Sequence, residues 1–103
     1  MREPKGTRVP VAVEVHVGLD GEAAPRSILW ADGRRFGIFH VLGREKARDP
    51  RTREWGWCYD CMVFKDVLRV DTVRKRLYRF GARWAVFPGD SRDLEARTDS
   101  HAK

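Results

Sequence analysis

The chain has 103 residues with a formal charge of +6, and 42% of it is hydrophobic, including four Trp, five Phe and two Tyr. That is material for one small domain with a packed core, so a multidomain assembly and wholesale disorder are both excluded. No apolar run is long enough to span a bilayer, two cysteines cannot staple a secreted scaffold, and the leading Met1-Arg-Glu-Pro-Lys-Gly-Thr-Arg8 has no apolar signal core, so a cytoplasmic location without membrane contact is expected.

Residues 1–9 are polar, carry Pro4 and Gly6, and read as a flexible N-terminal arm. A single β domain is expected over residues 10–89. It opens with Val9, Val11, Val13, Val15 and Val17 alternating with Pro10, Ala12, Glu14 and His16, the pattern of a strand with one buried face. Leu19 to Pro25 reads as a turn. A second strand, Arg26 to Trp30, meets a third, Arg34 to Leu42, across Ala31-Asp32-Gly33. A two-residue Asp-Gly turn would split the large side chains between both faces. A three-residue loop with Gly33 in the left-handed position pairs Ile28 with Phe36 and Trp30 with Arg34, so that Ile28, Trp30, Phe36 and Ile38 share one face. The pattern therefore predicts the bulged loop.

Gly43 to Glu54 has no apolar period and carries Pro50, so it reads as an exposed loop with an ordinary mixture of charges. The fourth strand places Trp57, Tyr59, Cys61 and Val63 on one face, with Cys58, Asp60, Met62 and Phe64 on the other. Lys65 to Val73 suits a strand and a helix equally. Arg76 to Phe80 and Trp84 to Phe87 form a hairpin around Gly81-Ala82-Arg83. Residues 90–103 hold one large apolar residue, Leu94, and read as a flexible or weakly helical tail. The fold class expected is mainly β: an antiparallel meander of five or six strands, curled or barrel-like, with at most one short helix.

The run Ile28-Leu-Trp30-Ala-Asp-Gly33-Arg-Arg-Phe36-Gly-Ile38, followed by Val41-Leu42, Tyr59-Asp-Cys61, Leu77-Tyr78 and Trp84-Ala85-Val86, resembles a family of short, uncharacterised bacterial proteins from Gram-positive genomes. The likeness covers about Val11 to Phe87, although Phe64 to Arg76 is longer than the family pattern. It implies a small β domain and brings no assigned activity.

Four groups of residues are candidates for chemistry. Cys58-Tyr-Asp-Cys61 is half of a zinc motif, with His16 and His40 as the further ligands available. Residues three apart on a strand point to opposite faces, however, so two small buried thiols are the simpler expectation, and no cofactor is expected. His16 reads as a surface residue and His40, in register with Phe36 and Ile38, as a core one. Asp60, Asp66 and Asp71 show no spacing that singles out an acid–base pair. With no nucleophile elbow, phosphate loop or metalloprotease motif, the chain is not expected to be an enzyme.

The remaining group is basic. Arg69, Arg74, Lys75, Arg76, Arg79 and Arg83 stand against the single acid Asp71 and interleave with Tyr78, Phe80 and Trp84. Arg for phosphates beside aromatics for bases is how single strands are gripped, so contact with RNA or single-stranded DNA through this hairpin is the leading expectation. The alternative is a protein-interaction or self-associating module using an unpaired edge such as Val11 to Val17, or an exposed Trp55-Gly56-Trp57.

Overall fold

The period-two pattern becomes six strands in the computed structural model, which describes residues 1–65 and 71–89. They are β1 (Val9–Val17), β2 (Ala23–Leu29), β3 (Arg35–Arg48), β4 (Trp55–Phe64), β5 (Thr72–Phe80) and β6 (Arg83–Val86). Each strand pairs antiparallel with the next, and β6 returns to β1, closing a barrel in up-and-down order. A barrel this narrow is filled by its own inward side chains. Ile28, Tyr59, Cys61, Val63, Leu77 and Val86 are buried there, with Val9, Val11, Trp30, Phe36 and Ile38 packed around them.

The β2–β3 turn is the bulged loop expected. Ile28 pairs with Phe36, Gly33 N–H donates to the Trp30 carbonyl at 2.9 Å, Trp30 N–H donates to the Arg34 carbonyl at 2.9 Å, and Gly33 has φ 92°. That backbone region is open to glycine and strained for other residues.

Several segments depart from expectation. Strand β2 begins three residues earlier than Arg26, at Ala23, and takes in Pro25, which stands opposite Val15 where the β1–β2 register shifts. A proline without an N–H is accommodated at such a shift. Strand β3 continues through Gly43 to Arg48, which had read as loop, and pairs with β4 as far as Arg48↔Trp55. Register shifts between Ile38 and His40 and between Val41 and Gly43 hide this continuation. Each leaves an apolar side chain outside, Phe39 at 66% and Leu42 at 49% exposure, and the first turns His40 out to solvent, where a core position was expected. Of Lys65 to Val73, Thr72 and Val73 open β5; residues 66–70, and the tail expected over 90–103, lie outside the described residues.

A second apolar cluster lies on the outer surface of the sheet: Ala47, Cys58, Tyr78, Phe80 and Phe87. The segment ahead of β1, read from sequence as a flexible arm, is laid against this side. Arg2 forms a parallel bridge with Ala47, its N–H donating to the Lys46 carbonyl at 2.8 Å while its carbonyl accepts from Arg48 N–H at 3.0 Å. Pro4 is fully buried, and the Arg8 guanidinium lies 4.3 Å from the centre of the Phe80 ring.

Candidate nucleic-acid interface

Residues directly opposite in an antiparallel sheet share a face. Lys46 pairs with Trp57, Trp57 with Arg79, and Arg79 with Trp84. Cation, indole, cation and indole thus alternate along one row across β3, β4, β5 and β6. At about 4.8 Å between strands the row spans about 14 Å. Beside it Arg48 pairs with Trp55 and Arg44 with Tyr59 on the same face.

The cations lie over the rings. Arg44 Cζ is 4.4 Å from the Trp57 ring centre, Lys46 Nζ is 5.2 Å from Trp57 and 6.0 Å from Trp55, Arg48 Cζ is 5.6 Å from Trp55, and Arg79 Cζ is 5.7 Å from Trp84. These distances are in the cation–π range. Trp55 is 51% exposed and so presents a wide ring surface to solvent. Trp84 packs on Tyr59 at 5.3 Å between ring centres, and the buried Tyr59 hydroxyl lies by the Arg44 guanidinium, which it holds in the charged form without a well-aligned hydrogen bond among the described residues.

Charge compensation along this face is uneven. Arg44 pairs with Glu22 at 3.0 Å and Arg48 with Glu3 at 2.5 Å. Lys46 and Arg79 have no carboxylate partner among the described residues. They are the two cations of the row itself.

The loop that ends the long β3–β4 hairpin is locked to the rest of the molecule. Asp49 is 2% exposed; one of its carboxylate oxygens accepts from Arg51 N–H at 2.9 Å, and the other meets Arg8 at 3.3 Å. Burial pushes the Asp49 carboxyl up, but the N–H groups of Arg51 and Thr52 and the Arg8 guanidinium outweigh it and hold the group below its ordinary value. Glu54 is held low first by its hydrogen bond from Arg8; burial opposes this, and Arg83 adds to the lowering. The two bonds are 3.0 and 2.6 Å long. Arg53 adopts φ 63° within this loop, and its N–H donates to the Asp49 carbonyl at 2.7 Å.

Of the basic residues singled out in the sequence, the structure brings only part into this row. Arg79 and Trp84 belong to it. Lys75 also faces inward, but lower down, opposite Cys61. Arg74 and Arg76 face outward, and Arg74 pairs with Asp60. Arg83 is exposed and bonded to Glu54. Tyr78, expected to stack a base, is fully buried in the outer cluster, edge-on to Phe87 at 5.0 Å. It cannot reach a ligand there. Arg69 lies outside the described residues. The alternation of β5 divides the run of basic residues, since neighbours in a strand point to opposite faces.

Trp55, Trp57, Arg44, Lys46 and Arg48 were not recognised as one site from sequence. Their signal is nonetheless present: Arg44-x-Lys46-x-Arg48 is a period-two series of cations, mirrored across the loop by Trp55-x-Trp57.

The alternative metal set is dispersed. Cys61 lies in the barrel core and Cys58 in the outer cluster, while His16 and His40 are exposed on β1 and β3. No group of three or more His, Cys, Asp or Glu converges among the described residues. Burial pushes the Cys58 thiol up to about 11, against a smaller opposing effect of the Tyr78 hydroxyl, and pushes Cys61 up to about 12, helped by the Asp60 charge. Of the other carboxylates considered, Asp60 is taken by Arg74, Asp71 is exposed, and Asp66 lies outside the described residues.

Fold and face together define a closed six-stranded antiparallel barrel carrying a cation–indole row at one end. No family model, curated protein or solved structure matches the chain. Among the described residues no helix is long and apolar enough to cross a membrane.

Proposed function

We propose that the chain binds single-stranded nucleic acid, RNA or DNA, across the face formed by Trp55, Trp57 and Trp84 with Arg44, Lys46 and Arg79. The observation that carries this reading is the row Lys46–Trp57–Arg79–Trp84, in which both cations lack a carboxylate partner among the described residues and both stand beside indole rings. Stacking on aromatic rings serves any base, and cations between the rings serve the phosphates. Trp55, already half exposed, is the first stacking surface an incoming base meets. A duplex offers no free base faces, so it should bind more weakly than a single strand of equal length.

Fluorescence anisotropy with labelled oligo(dT) and oligo(U) of 12 nucleotides at low salt tests the reading. Trp55→Ala should weaken binding by about 1–3 kcal/mol, the contribution of one stacked base, while Trp55→Phe retains most of it. Lys46→Glu should abolish it. Absence of binding to either oligonucleotide, or indifference to Trp55→Ala in a protein that melts like the parent, overturns the proposal.

A further inference from the structure

Strand β6 has four residues and pairs with β1 only at Val9, Pro10 and Val11. From Ala12 to Val17 that edge of β1 has no strand beside it among the described residues. A groove of about 730 Å³ opens where β6 ends, lined by Arg8, by Pro10 and Val11 on the paired part of β1, by Val13 and Val15 beyond it, and by Arg83 and Trp84. Burial records the change: inward and outward residues alternate from Val9 to Val13, and all four from Glu14 to Val17 are exposed. Val15 and Val17 keep the inward parity yet are 42% and 60% exposed. An open edge is ordinarily guarded by lysine, proline or a bulge. Ala12-Val-Glu-Val-His-Val17 has neither lysine nor proline, and the irregularity at Glu14 and Val15 lies on the side paired with β2, where Arg26 is the extra residue.

We propose that this edge is a dimer interface, closed by the same edge of a second copy running antiparallel. The sequence of the edge selects both the partner and the register. Keeping the valines of the two copies on one face places the two-fold axis at a residue, because side chains alternate. An axis at Glu14 sets Glu opposite Glu, and one at His16 sets His opposite His. An axis at Val13 demands Val11, which β6 already holds. An axis at Val15 sets Val15 against its own copy, Val13 against Val17, and Glu14 against His16, twice over by symmetry. Opposite partners across a pair stabilise it and like charges oppose it. Glu14 also accepts from Ser27 and pairs with Arg35 at 2.8 Å, and a carboxylate has lone pairs left for an imidazole donor. The pairing would extend the sheet through both barrels and cover Val15 and Val17.

Sedimentation equilibrium without nucleic acid tests this independently of the binding proposal. The wild-type chain should populate a dimer at concentrations up to about 200 µM. His16→Glu, which brings four carboxylates together, should weaken dimerisation about tenfold or more. The swapped double variant Glu14→His/His16→Glu restores opposite partners and should return it to near the wild-type value. Val15→Lys, at an exposed position, should give a monomer with an unchanged melting temperature. A wild-type chain that stays monomeric, a His16→Glu chain that dimerises like the parent, or a Val15→Lys chain that remains dimeric overturns the proposal.

Discussion

Gly56 meets the backbone of Arg79 so closely that a Cβ added there would lie 2.0 Å from the Arg79 carbonyl oxygen and 2.8 Å from the Phe80 ring. No side chain fits that gap. The approach draws β4 against β5 at the level of Trp57 and Arg79, the middle of the cation–indole row, while Trp55 and Trp57 flank the glycine and face the same way.

Replacing Gly56 with Ala should therefore force the two strands apart. Overpacking of this kind costs about 1–3 kcal/mol, and at about 4–8 °C per kcal/mol for a domain of this size the loss is visible in a thermal melt. Oligonucleotide affinity should fall as well, because the row is broken between its second and third members. A Gly56→Ala protein that melts with the parent would show that the strands separate without cost.

The locked β3–β4 loop predicts an acid limit to stability. Asp49 and Glu54 are both held below their ordinary values of 3.8 and 4.5 in the folded chain. Their contribution is complete above those values and is lost as pH falls through the lower folded values. Melting temperature should hold steady from neutral pH to about 5 and drop below about 4. Asp49→Asn, which leaves Arg8 with one carboxylate and weakens acceptance from Arg51 and Thr52, should melt lower at pH 7 and lose less on acidification. Equal losses in the two proteins would remove Asp49 from the explanation.

Both thiols should be silent in the native state. With pKa values pushed up to about 11 and about 12, neither supplies thiolate at pH 8, and thiolate is the reactive form. Ellman's reagent should label neither cysteine over minutes in buffer and both in denaturant. Because Cys58 and Cys61 lie in separate clusters on opposite faces, mild oxidation should leave them unpaired within one chain. Rapid native labelling of either would contradict the burial described.

If the cation–indole row is the nucleic-acid interface, its salt dependence should be small and countable. For single strands the logarithm of affinity falls with the logarithm of salt by about 0.7 per phosphate neutralised. Contacts from Lys46 and Arg79 alone give a slope of about −1.4, and release of Arg44 and Arg48 from Glu22 and Glu3 raises it to about −2.8. Lys46→Met should reduce the slope by about 0.7. A steeper slope, above all one reduced by changes at Arg74 or Arg76, would move the interface to the outer face.

Much of this molecule is legible in local pattern. The alternation of Val9 to Val17 and of Trp57 to Val63 determines two strands and which way their side chains point, and it sends Cys58 and Cys61 to opposite sides, although Val15 and Val17 stay exposed where β1 loses its neighbour. Ala31-Asp32-Gly33, read against the aromatic positions on either side, determines the turn and its register, since a slip of one residue would put Trp30 or Phe36 in water. The rest depends on what lies across the sheet. The shifts after Ile38 and Val41 interrupt the period of β3, so that a paired strand reads as a charged loop. Tyr78 lies on the outer face of β5, exposed by pattern, and is buried because the outer cluster and the N-terminal residues cover that side. The basic residues near β5 are neighbours along the chain, but alternation divides them between two faces. The row that assembles instead, Lys46, Trp57, Arg79 and Trp84, takes one residue from each of four strands. Period along the chain fixes which way a side chain points; strand pairing decides which side chains meet.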